Sequence, residues 1–312
     1  MITLADIEAA AARIAPHIRR TPNIRATALA EPVTEATLSL KLECLQPTGS
    51  FKARGATNKL LTTPKEELAG GVVTASGGNH GLATARAAKL AGVPATIFVP
   101  KSITPAKVEK LKRWGATVEI IGDIWNETNE HALAFAKERG AAYFHPFADA
   151  KVIAGQGTTA LELLEEVPDV DTVLVAIGGG GLISGMGVAI KALKPSVRII
   201  GIEPEGSPTL KASLDAGRVV RLPAVTSRVA TMSCAETDPG VFELVRDHVD
   251  DIVLVPDEAM LEASRWLWFE MGIAADLSGA AAIAALQTGV LSFPAGHSVG
   301  ALVCGAGPDA LV

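Results

Sequence analysis

Short, almost wholly apolar runs alternate along the chain with alanine-rich stretches of helical periodicity. The apolar runs include GVVTAS at 71–76, TVLVAIG at 172–178 and HSVGALVCG at 297–305, whereas GLATARAAKLAG at 81–92 has the helical pattern. Strands covered on both faces lose the apolar–polar alternation of a half-exposed sheet, and parallel sheets are built from such strands. The sequence therefore predicts an α/β fold with two open, twisted, mostly parallel sheets flanked by helices.

The domain organisation follows from the length and from the position of the βα units. A chain of 312 residues is long enough for two domains of ordinary size. Two or three βα units between about residues 70 and 145 could form a sheet of their own, and no low-complexity linker separates them from the rest. We therefore predict a large domain formed by residues 1–60 and 146–312, and a small domain formed by residues 61–145.

Composition excludes several classes of function. The net charge of −6 and the aromatic content of 4% argue against nucleic-acid binding, which needs basic patches and stacking side chains. The glycine block within residues 172–190 would break a membrane-spanning helix. Three widely spaced cysteines without a CxxC pair suit a reducing compartment, and Asp6 and Glu8 near the N-terminus are untypical of a signal peptide. We expect a cytoplasmic protein with no membrane partner.

Candidate ligand sites lie where the predicted strands end, because open α/β sheets bind ligands at the carboxyl ends of their strands. Gly178 to Gly181 follow one strand and precede a helix, so that converging N–H groups and the helix start favour a phosphate. The block lacks the GKS or GKT ending of a P-loop and the third glycine of GxGxxG. Glu203 ends a later strand about twenty positions on, where dinucleotide-binding domains carry a ribose-binding acid. A nicotinamide-dependent dehydrogenase is therefore one alternative.

Two further segments carry candidate chemistry. The loop from Ser76 to Gly81 closes a strand and opens a helix, and its polar side chains and free N–H groups suit a carboxylate, although a capped helix with no ligand has the same pattern. In LQPTGSFKARGA, residues 45–56, Lys52 follows Phe51 and a run of small, turn-forming residues. A lysine kept partly out of water loses its proton more easily and can act as a nucleophile or a base. A solvated lysine at a helix start is the alternative. No HxxxH or HExxH pair is present, so we expect no histidine metal site.

Together these segments resemble one group of enzymes, the serine/threonine dehydratases and serine racemases of the fold-type II pyridoxal-phosphate family, which have the tryptophan synthase β-like fold. The resemblance covers nearly the whole chain and implies pyridoxal 5'-phosphate as the cofactor. The matching segments occur in the same order as in that group: PTGSFKARGA at 47–56, SGGNHG at 76–81, GGGGLISG at 178–185, GIEP at 201–204, DLSGAAA at 276–282 and VCGAG at 303–307.

The resemblance implies a role for individual residues. Lys52 would bind the cofactor through an imine and later remove the substrate's α-proton, with Phe51 packed near the cofactor. Asn79 would hydrogen-bond to the ring hydroxyl group, and Cys304 would lie at the pyridine nitrogen as a neutral partner. The two remaining sets are the phosphate-binding glycines Gly178, Gly179, Gly180 and Gly181, and the substrate-binding residues Ser76, Gly77, Gly78, Asn79 and His80.

Four positions depart from the pattern of that group. Gly77 stands where the racemases carry a serine, so stereoinversion should be weak or absent. Thr209 replaces an acid of the divalent-cation site, which also uses a residue like Glu203, so we expect no metal. Asp276 and Leu277 replace the Glu-Pro of the familiar EPSGA segment.

The implied activity is that of a pyridoxal-phosphate ammonia-lyase, a carbon–nitrogen lyase that converts a β-hydroxy amino acid to a 2-oxo acid and ammonia. L-Threonine or L-serine is the expected small-molecule substrate. Serine racemisation, dehydration of 3-hydroxyaspartate or phenylserine, and β-replacement are alternatives within the same fold. A ligand-binding module without catalysis is an alternative of another class. A homodimer is the expectation for the group.

Overall fold

The computed structural model describes residues 2–123 and 125–311, and these residues form ten strands. The strands, numbered along the chain, are β1 (Asn23–Arg25), β2 (Thr37–Lys41), β3 (Val72–Ala75), β4 (Ala95–Val99), β5 (Thr117–Ile120), β6 (Ala142–Tyr143), β7 (Thr172–Ala176), β8 (Arg198–Pro204), β9 (Asp251–Val255) and β10 (Ser298–Leu302).

The same residues form eleven α-helices, most of which connect successive strands. Within a parallel sheet each such connection must cross over one face, so helices cover both sheets. The helices are α1 (Leu4–Ile14), α2 (Lys52–Thr62), α3 (Asn79–Ala91), α4 (Pro105–Arg113), α5 (Trp125–Arg139), α6 (Ala150–Glu166), α7 (Gly181–Leu193), α8 (Thr209–Asp215), α9 (Pro239–His248), α10 (Asp257–Met271) and α11 (Leu277–Gln287).

The strands form two sheets. A six-stranded sheet has the order β1-β2-β10-β7-β8-β9, in which only the β1–β2 pair is antiparallel. A four-stranded sheet has the order β5-β4-β3-β6 and is parallel throughout. The predicted α/β architecture with two mostly parallel sheets is confirmed. The division into domains at residues 60 and 145 stays a prediction, although all four strands of the smaller sheet lie between these residues.

The central strands are buried on both faces, as their apolar runs indicate. Every residue of β3, β7 and β10 is buried. The largest apolar cluster surrounds the six-stranded sheet, and a second cluster lies between the four-stranded sheet and helices α2 and α3. Within the described residues, no helix is long and apolar enough to cross a bilayer.

A buried ion network fixes the helix that begins at Lys52. Arg54 lies in the first turn of α2 and is 0% exposed. Its guanidinium group donates to both carboxylate oxygens of Glu43, at 2.7 Å each, and to both of Glu162, at 2.7 and 2.8 Å. The ammonium group of Lys41 on β2 also contacts Glu162, at 2.8 Å. These bidentate, charge-assisted hydrogen bonds connect α2 to α6 and to the six-stranded sheet.

Candidate active site

Lys52 is placed by a backbone pairing that joins its segment to the end of β10. The N–H of Phe51 donates to the carbonyl of Cys304 at 3.2 Å, and the N–H of Ala306 donates to the carbonyl of Gly49 at 2.8 Å. Thr48, a few residues before the helix, has a φ of +70°, a left-handed conformation that is rare for a β-branched residue. Strain of this kind is concentrated at functional sites. The segment therefore holds the start of α2 beside Cys304.

The side-chain amine of Lys52 is half-buried and has one protein acceptor among the described residues. Its Nζ donates to the carbonyl of Pro146 at 2.7 Å and lies 5.1 Å from the centroid of the Phe51 ring. Burial lowers the pKa of Lys52 to about 8, because the ammonium form loses its hydration. The start of a helix also carries a partial positive charge, which disfavours the ammonium form. Lys52 is therefore poised to act as a neutral amine.

A turn after β6 supplies the acceptor for this amine. The Nδ1 of His145 accepts hydrogen bonds from the N–H groups of Phe147, at 3.2 Å, and Ala148, at 2.8 Å, which places the ring proton on Nε2. Burial, and then the charge of Lys52, lower the pKa of His145 to about 4. The neutral His145 ring thus fixes the turn that directs the carbonyl of Pro146 at Lys52.

The four glycines between β7 and α7 form a tight loop with free donors. Gly180 has a φ of +96°, and a Cβ at Gly179 would lie 2.2 Å from the ring of Phe147. The hydroxyl of Thr237 donates to the carbonyl of Gly179 at 3.0 Å. Among the described residues, the N–H groups of Gly178 to Gly181 donate to no protein acceptor. Free amides at a helix start are the arrangement that binds a phosphate.

The loop after β3 is stabilised by contacts among its own residues. The Oγ of Ser76 accepts the N–H of Gly78 at 3.4 Å, and a Cβ at Gly81 would lie 1.9 Å from the carbonyl oxygen of Ser76. The ring of His80 is buried, and its Nε2 lies 3.0 Å from the carbonyl oxygen of Phe144. The Nδ1 of the same ring has no hydrogen-bond partner among the described residues. Burial, and then the charge of Lys52, lower the pKa of His80 to about 3, so its ring is neutral.

Asn79 and Cys304 each contact a residue at the start of α11. The Nδ2 of Asn79 donates to the Oδ2 of Asp276 at 3.1 Å, and the Sγ of Cys304 lies 3.7 Å from the Oγ of Ser278. Burial, and then the negative charge of Asp276, raise the pKa of the Cys304 thiol above its ordinary value. Cys304 is therefore a neutral thiol. The structure thus brings the lysine segment, both loops and the end of β10 to one place.

Comparison with known proteins decides the family. The family model described as "Pyridoxal-phosphate dependent enzyme" matches residues 14–305. The chain belongs to this family. It is 42% identical to the L-threonine ammonia-lyase of Thermotoga maritima over 92% of this chain and 71% of that protein. The structure of maize serine racemase is similar with a TM-score of 0.93 and 36% identity, covering 97% of this chain and 93% of that one. The structure of a T.th. threonine deaminase gives a TM-score of 0.91 and 37% identity, with 98% of both chains covered.

Pyridoxal phosphate is therefore the cofactor, and the residues present fit it. Because its pKa is lowered to about 8, Lys52 has more of the neutral amine near neutral pH than an ordinary lysine, and the neutral form is a nucleophile suited to the aldehyde of the cofactor. The four free N–H groups of Gly178 to Gly181 are donors suited to its phosphate. The lysine segment also pairs with the backbone of Cys304, through the N–H of Phe51 at 3.2 Å.

The lowered pKa of Lys52 predicts a pH dependence for cofactor binding. Only the neutral amine reacts with an aldehyde, and its fraction rises with pH until the pKa is passed. We expect the rate at which the apoprotein combines with pyridoxal phosphate to rise and then level off above about pH 8. Stopped-flow absorbance over a pH series measures this rate. A midpoint near 10.5, the ordinary value, would contradict the burial of the amine.

The divalent-cation site that the sequence resemblance raised does not fit the residues found here. The carboxylate of Glu203, at the end of β8, accepts the N–H groups of Leu210, at 2.8 Å, and Lys211, at 2.9 Å. The hydroxyl of Thr209, where a second acid would be needed, donates to the carbonyl of Cys234. Over residues 2–123 and 125–311, no group of three or more acidic, histidine or cysteine side chains could hold a metal. The same contacts occupy Glu203, so it does not serve as a free ribose-binding acid either.

Sequence reasoning missed the turn from His145 to Phe147 and the contact between Asn79 and Asp276. A signal for the turn was present, because AAYFHP at 141–146 is a short, mainly apolar run that ends in proline, and ligands bind where the strands of such sheets end. The contact with Asp276 had no such signal, since its partners are almost two hundred residues apart.

Proposed function

We propose that this chain is a pyridoxal-phosphate ammonia-lyase that converts L-threonine or L-serine to a 2-oxo acid and ammonia by α,β-elimination. The observation that carries the proposal is the half-buried Lys52 amine, which has a lowered pKa and lies in one site with the loop from Ser76 to His80. The similarity to an L-threonine ammonia-lyase and to a threonine deaminase supports the reaction type. The substrate is thus a small amino acid with a leaving group on its β-carbon.

The cofactor would be held at its aldehyde, its ring and its phosphate. Lys52 would bind its aldehyde, Asn79 would hydrogen-bond to the ring hydroxyl group, and Phe51 would pack beside the ring. Cys304 would lie at the ring nitrogen. The phosphate would accept hydrogen bonds from the N–H groups of Gly178, Gly179, Gly180 and Gly181. Bound pyridoxal phosphate withdraws electrons from the α-carbon of the substrate.

Lys52 would act as the base. A lysine acts as a base only in its neutral form, and it must reach the proton that it removes. Burial lowers the pKa of Lys52 to about 8, so its neutral form is more easily reached than that of a solvated lysine, and its Nζ donates one hydrogen bond, to the Pro146 carbonyl. The N–H groups at the start of α3, with Ser76, Gly77, Gly78, Asn79 and His80, would bind the substrate carboxylate and so orient the α-proton.

Cys304 would favour elimination through its charge state. A carboxylate at the ring nitrogen would keep that nitrogen protonated and strengthen the withdrawal of electrons. A thiol whose pKa is raised by burial stays neutral and has a weaker effect. Negative charge on the α-carbon is then delocalised less, so a β-hydroxyl group leaves promptly.

Ammonia release from a panel of amino acids tests the proposal. The panel contains L-threonine, L-serine, 3-hydroxyaspartate and phenylserine, and each 2-oxo acid product is identified by mass. We expect the highest rate with L-threonine or L-serine. Ammonia release from none of the four, by a chain that binds pyridoxal phosphate, would overturn the proposal. Sulfide added with serine separates elimination from β-replacement, which would yield cysteine.

Serine racemisation is the second candidate function, because maize serine racemase is among the similar structures. We expect Gly77→Ser to raise D-serine formation, since a serine hydroxyl can deliver a proton and a glycine cannot. A Cβ at Gly77 would lie 2.8 Å from the Cδ1 of Ile103, the end of a flexible side chain that can move aside. Chiral chromatography of the product measures the change.

Gly78→Ser is the matched control for this prediction. A Cβ at Gly78 has nothing within 4 Å, so the same hydroxyl group is added one residue away without a clash. We expect no rise in D-serine with this variant. An equal rise in both variants, or racemisation by the wild type as fast as its elimination, would contradict the assignment of Gly77.

Chelation should leave the reaction unchanged. The carboxylate of Glu203 accepts the N–H groups of Leu210 and Lys211, and burial raises its pKa to about 7, so that a proton rather than a cation can neutralise it. We therefore expect ammonia release and the melting temperature to be the same with EDTA and with added Mg²⁺. Loss of activity in EDTA that Mg²⁺ restores would contradict this prediction.

We propose further that the protein is a cytoplasmic homodimer with the small domain at residues 61–145. Exposed aromatic side chains at the end of α10 support self-association, with Phe269 79% and Trp268 37% exposed. Light scattering coupled to size-exclusion chromatography tests the oligomeric state, and a monomer at micromolar concentration would contradict it. Limited proteolysis tests the domain boundaries.

A further inference from the structure

Asp276 is an aspartate whose two carboxylate oxygens have separate partners. Its Oδ1 accepts the N–H of Gly279, at 2.7 Å, and the hydroxyl of Ser278, at 2.7 Å, and so caps helix α11. Its Oδ2 accepts the side-chain amide of Asn79 at 3.1 Å. Its own N–H donates to the carbonyl of Gly305 at 3.0 Å. The carboxylate is therefore fixed in place by α11 and by the segment that follows β10.

Capping alone does not account for a carboxylate at this position. A helix N-cap uses one oxygen, which serine, threonine or asparagine supplies as well as aspartate does. A buried charge is unfavourable unless its oxygens are hydrogen-bonded. The feature that only a carboxylate provides is a second acceptor, and this acceptor faces Asn79.

A carboxylate acceptor also determines which way the Asn79 amide points. The oxygen and the nitrogen of an asparagine side chain are nearly equal in size, so the amide can turn over unless its partners distinguish the two atoms. The Oδ2 of Asp276 can only accept, and it therefore selects the NH₂ group of Asn79. One N–H of that group then remains for another acceptor.

We propose that Asp276 is a positioning residue that orients the Asn79 amide, so that its second N–H is directed at the ring oxygen of pyridoxal phosphate. The proposal rests on the proposed cofactor contact of Asn79. Asp276 touches neither the cofactor nor the substrate in this account, and it acts through Asn79 alone. Its carboxylate also connects the start of α11, which packs on the six-stranded sheet, to the start of α3, which packs on the four-stranded sheet.

An exchange of the two side chains separates this role from a merely structural one. Three variants are needed: Asp276→Asn, Asn79→Asp, and the double variant that carries both. Two readouts are measured on the full chain, the melting temperature of the apoprotein and the Kd for pyridoxal phosphate from an absorbance titration. The double variant restores one hydrogen bond between positions 79 and 276, with its direction reversed, and presents a carboxylate to the ring oxygen.

The account predicts different outcomes for the two readouts. Asp276→Asn keeps the helix cap but turns an NH₂ donor toward Asn79, which favours the reversed orientation of the Asn79 amide, so we expect the Kd to rise about 10-fold with little change in the melting temperature. Asn79→Asp places two carboxylates together and should lower the melting temperature. The double variant should recover the melting temperature and keep the raised Kd.

Asp149→Asn is the matched control. Asp149 caps α6 with its Oδ1, which accepts the N–H groups of Lys151 and Val152, and its Oδ2 pairs with Lys59 at 2.7 Å. We expect its Kd for pyridoxal phosphate to equal that of the wild type. A wild-type Kd in Asp276→Asn, or recovery of both readouts in the double variant, would overturn the proposal. A wild-type chain that binds no pyridoxal phosphate would instead overturn the proposed function.

Discussion

Replacing Lys52 by alanine is expected to lower ammonia release by at least ~10³-fold, because the substitution removes both the group that holds the cofactor and the proposed base. Neither of the two histidines whose pKa the charge of Lys52 lowers can take over the role of the base. The rings of His80 and His145 have pKa values of about 3 and 4 and are engaged in hydrogen bonds to the backbone. The measurement is single-turnover and steady-state ammonia release at saturating pyridoxal phosphate.

Lys65→Ala is the control for this substitution. Lys65 lies just after α2, is exposed and makes no ion pair among the described residues. Its replacement should leave both ammonia release and the absorbance of the bound cofactor unchanged. Ordinary turnover by Lys52→Ala would contradict the assignment of Lys52 as the base, whatever its effect on cofactor binding.

Replacing Arg54 by methionine is expected to lower the free energy of unfolding by about 3–5 kcal/mol, since it leaves the buried carboxylate of Glu43 without a counter-charge. Arg54 and Glu43 are both fully buried, and their guanidinium–carboxylate contact is 2.7 Å. Arg54→Lys should be destabilising too, because an ammonium group cannot make the two bidentate contacts. Urea unfolding followed by circular dichroism measures the loss.

Arg113→Met is the matched surface substitution, because Arg113 is 77% exposed and is paired with Glu109 at 3.6 Å. Its effect should stay within about 0.5 kcal/mol. Adding Glu43→Gln to Arg54→Met should recover part of the lost stability, since one uncompensated charge is then removed. An Arg54→Met chain as stable as the wild type would contradict the account of the network. Should the variant fail to fold, its yield of soluble protein compared with that of the double variant gives the same comparison.

The α/β class with two mostly parallel sheets could be predicted because it depends on local sequence patterns. Strands such as β7 and β10 are buried along their whole length, so their sequence is almost purely apolar, and the glycines that follow β7 mark the end of a strand and the start of a helix. The expectation that Lys52 lies near Gly178 to Gly181 followed from the resemblance to the dehydratase and racemase group, whose segments occur in the same order in this chain.

Contacts between distant segments could not be predicted in the same way. Arg54 is a charged residue in a helix and looks solvent-exposed, because nothing in KARGA reveals that Glu43 and Glu162 lie against it. The hydrogen bond from Asn79 to Asp276 is equally invisible, since it depends on how the two sheets are placed. Such pairings are set by the tertiary structure, and a single sequence carries no local trace of them.

The attachment of pyridoxal phosphate to Lys52 can be measured directly. The holoenzyme is reduced with borohydride, digested, and its peptides are mapped by mass spectrometry. We expect the phosphopyridoxyl mass on the peptide that contains Lys52 and on no other. A label on another lysine, or no label in a chain saturated with the cofactor, would contradict this expectation.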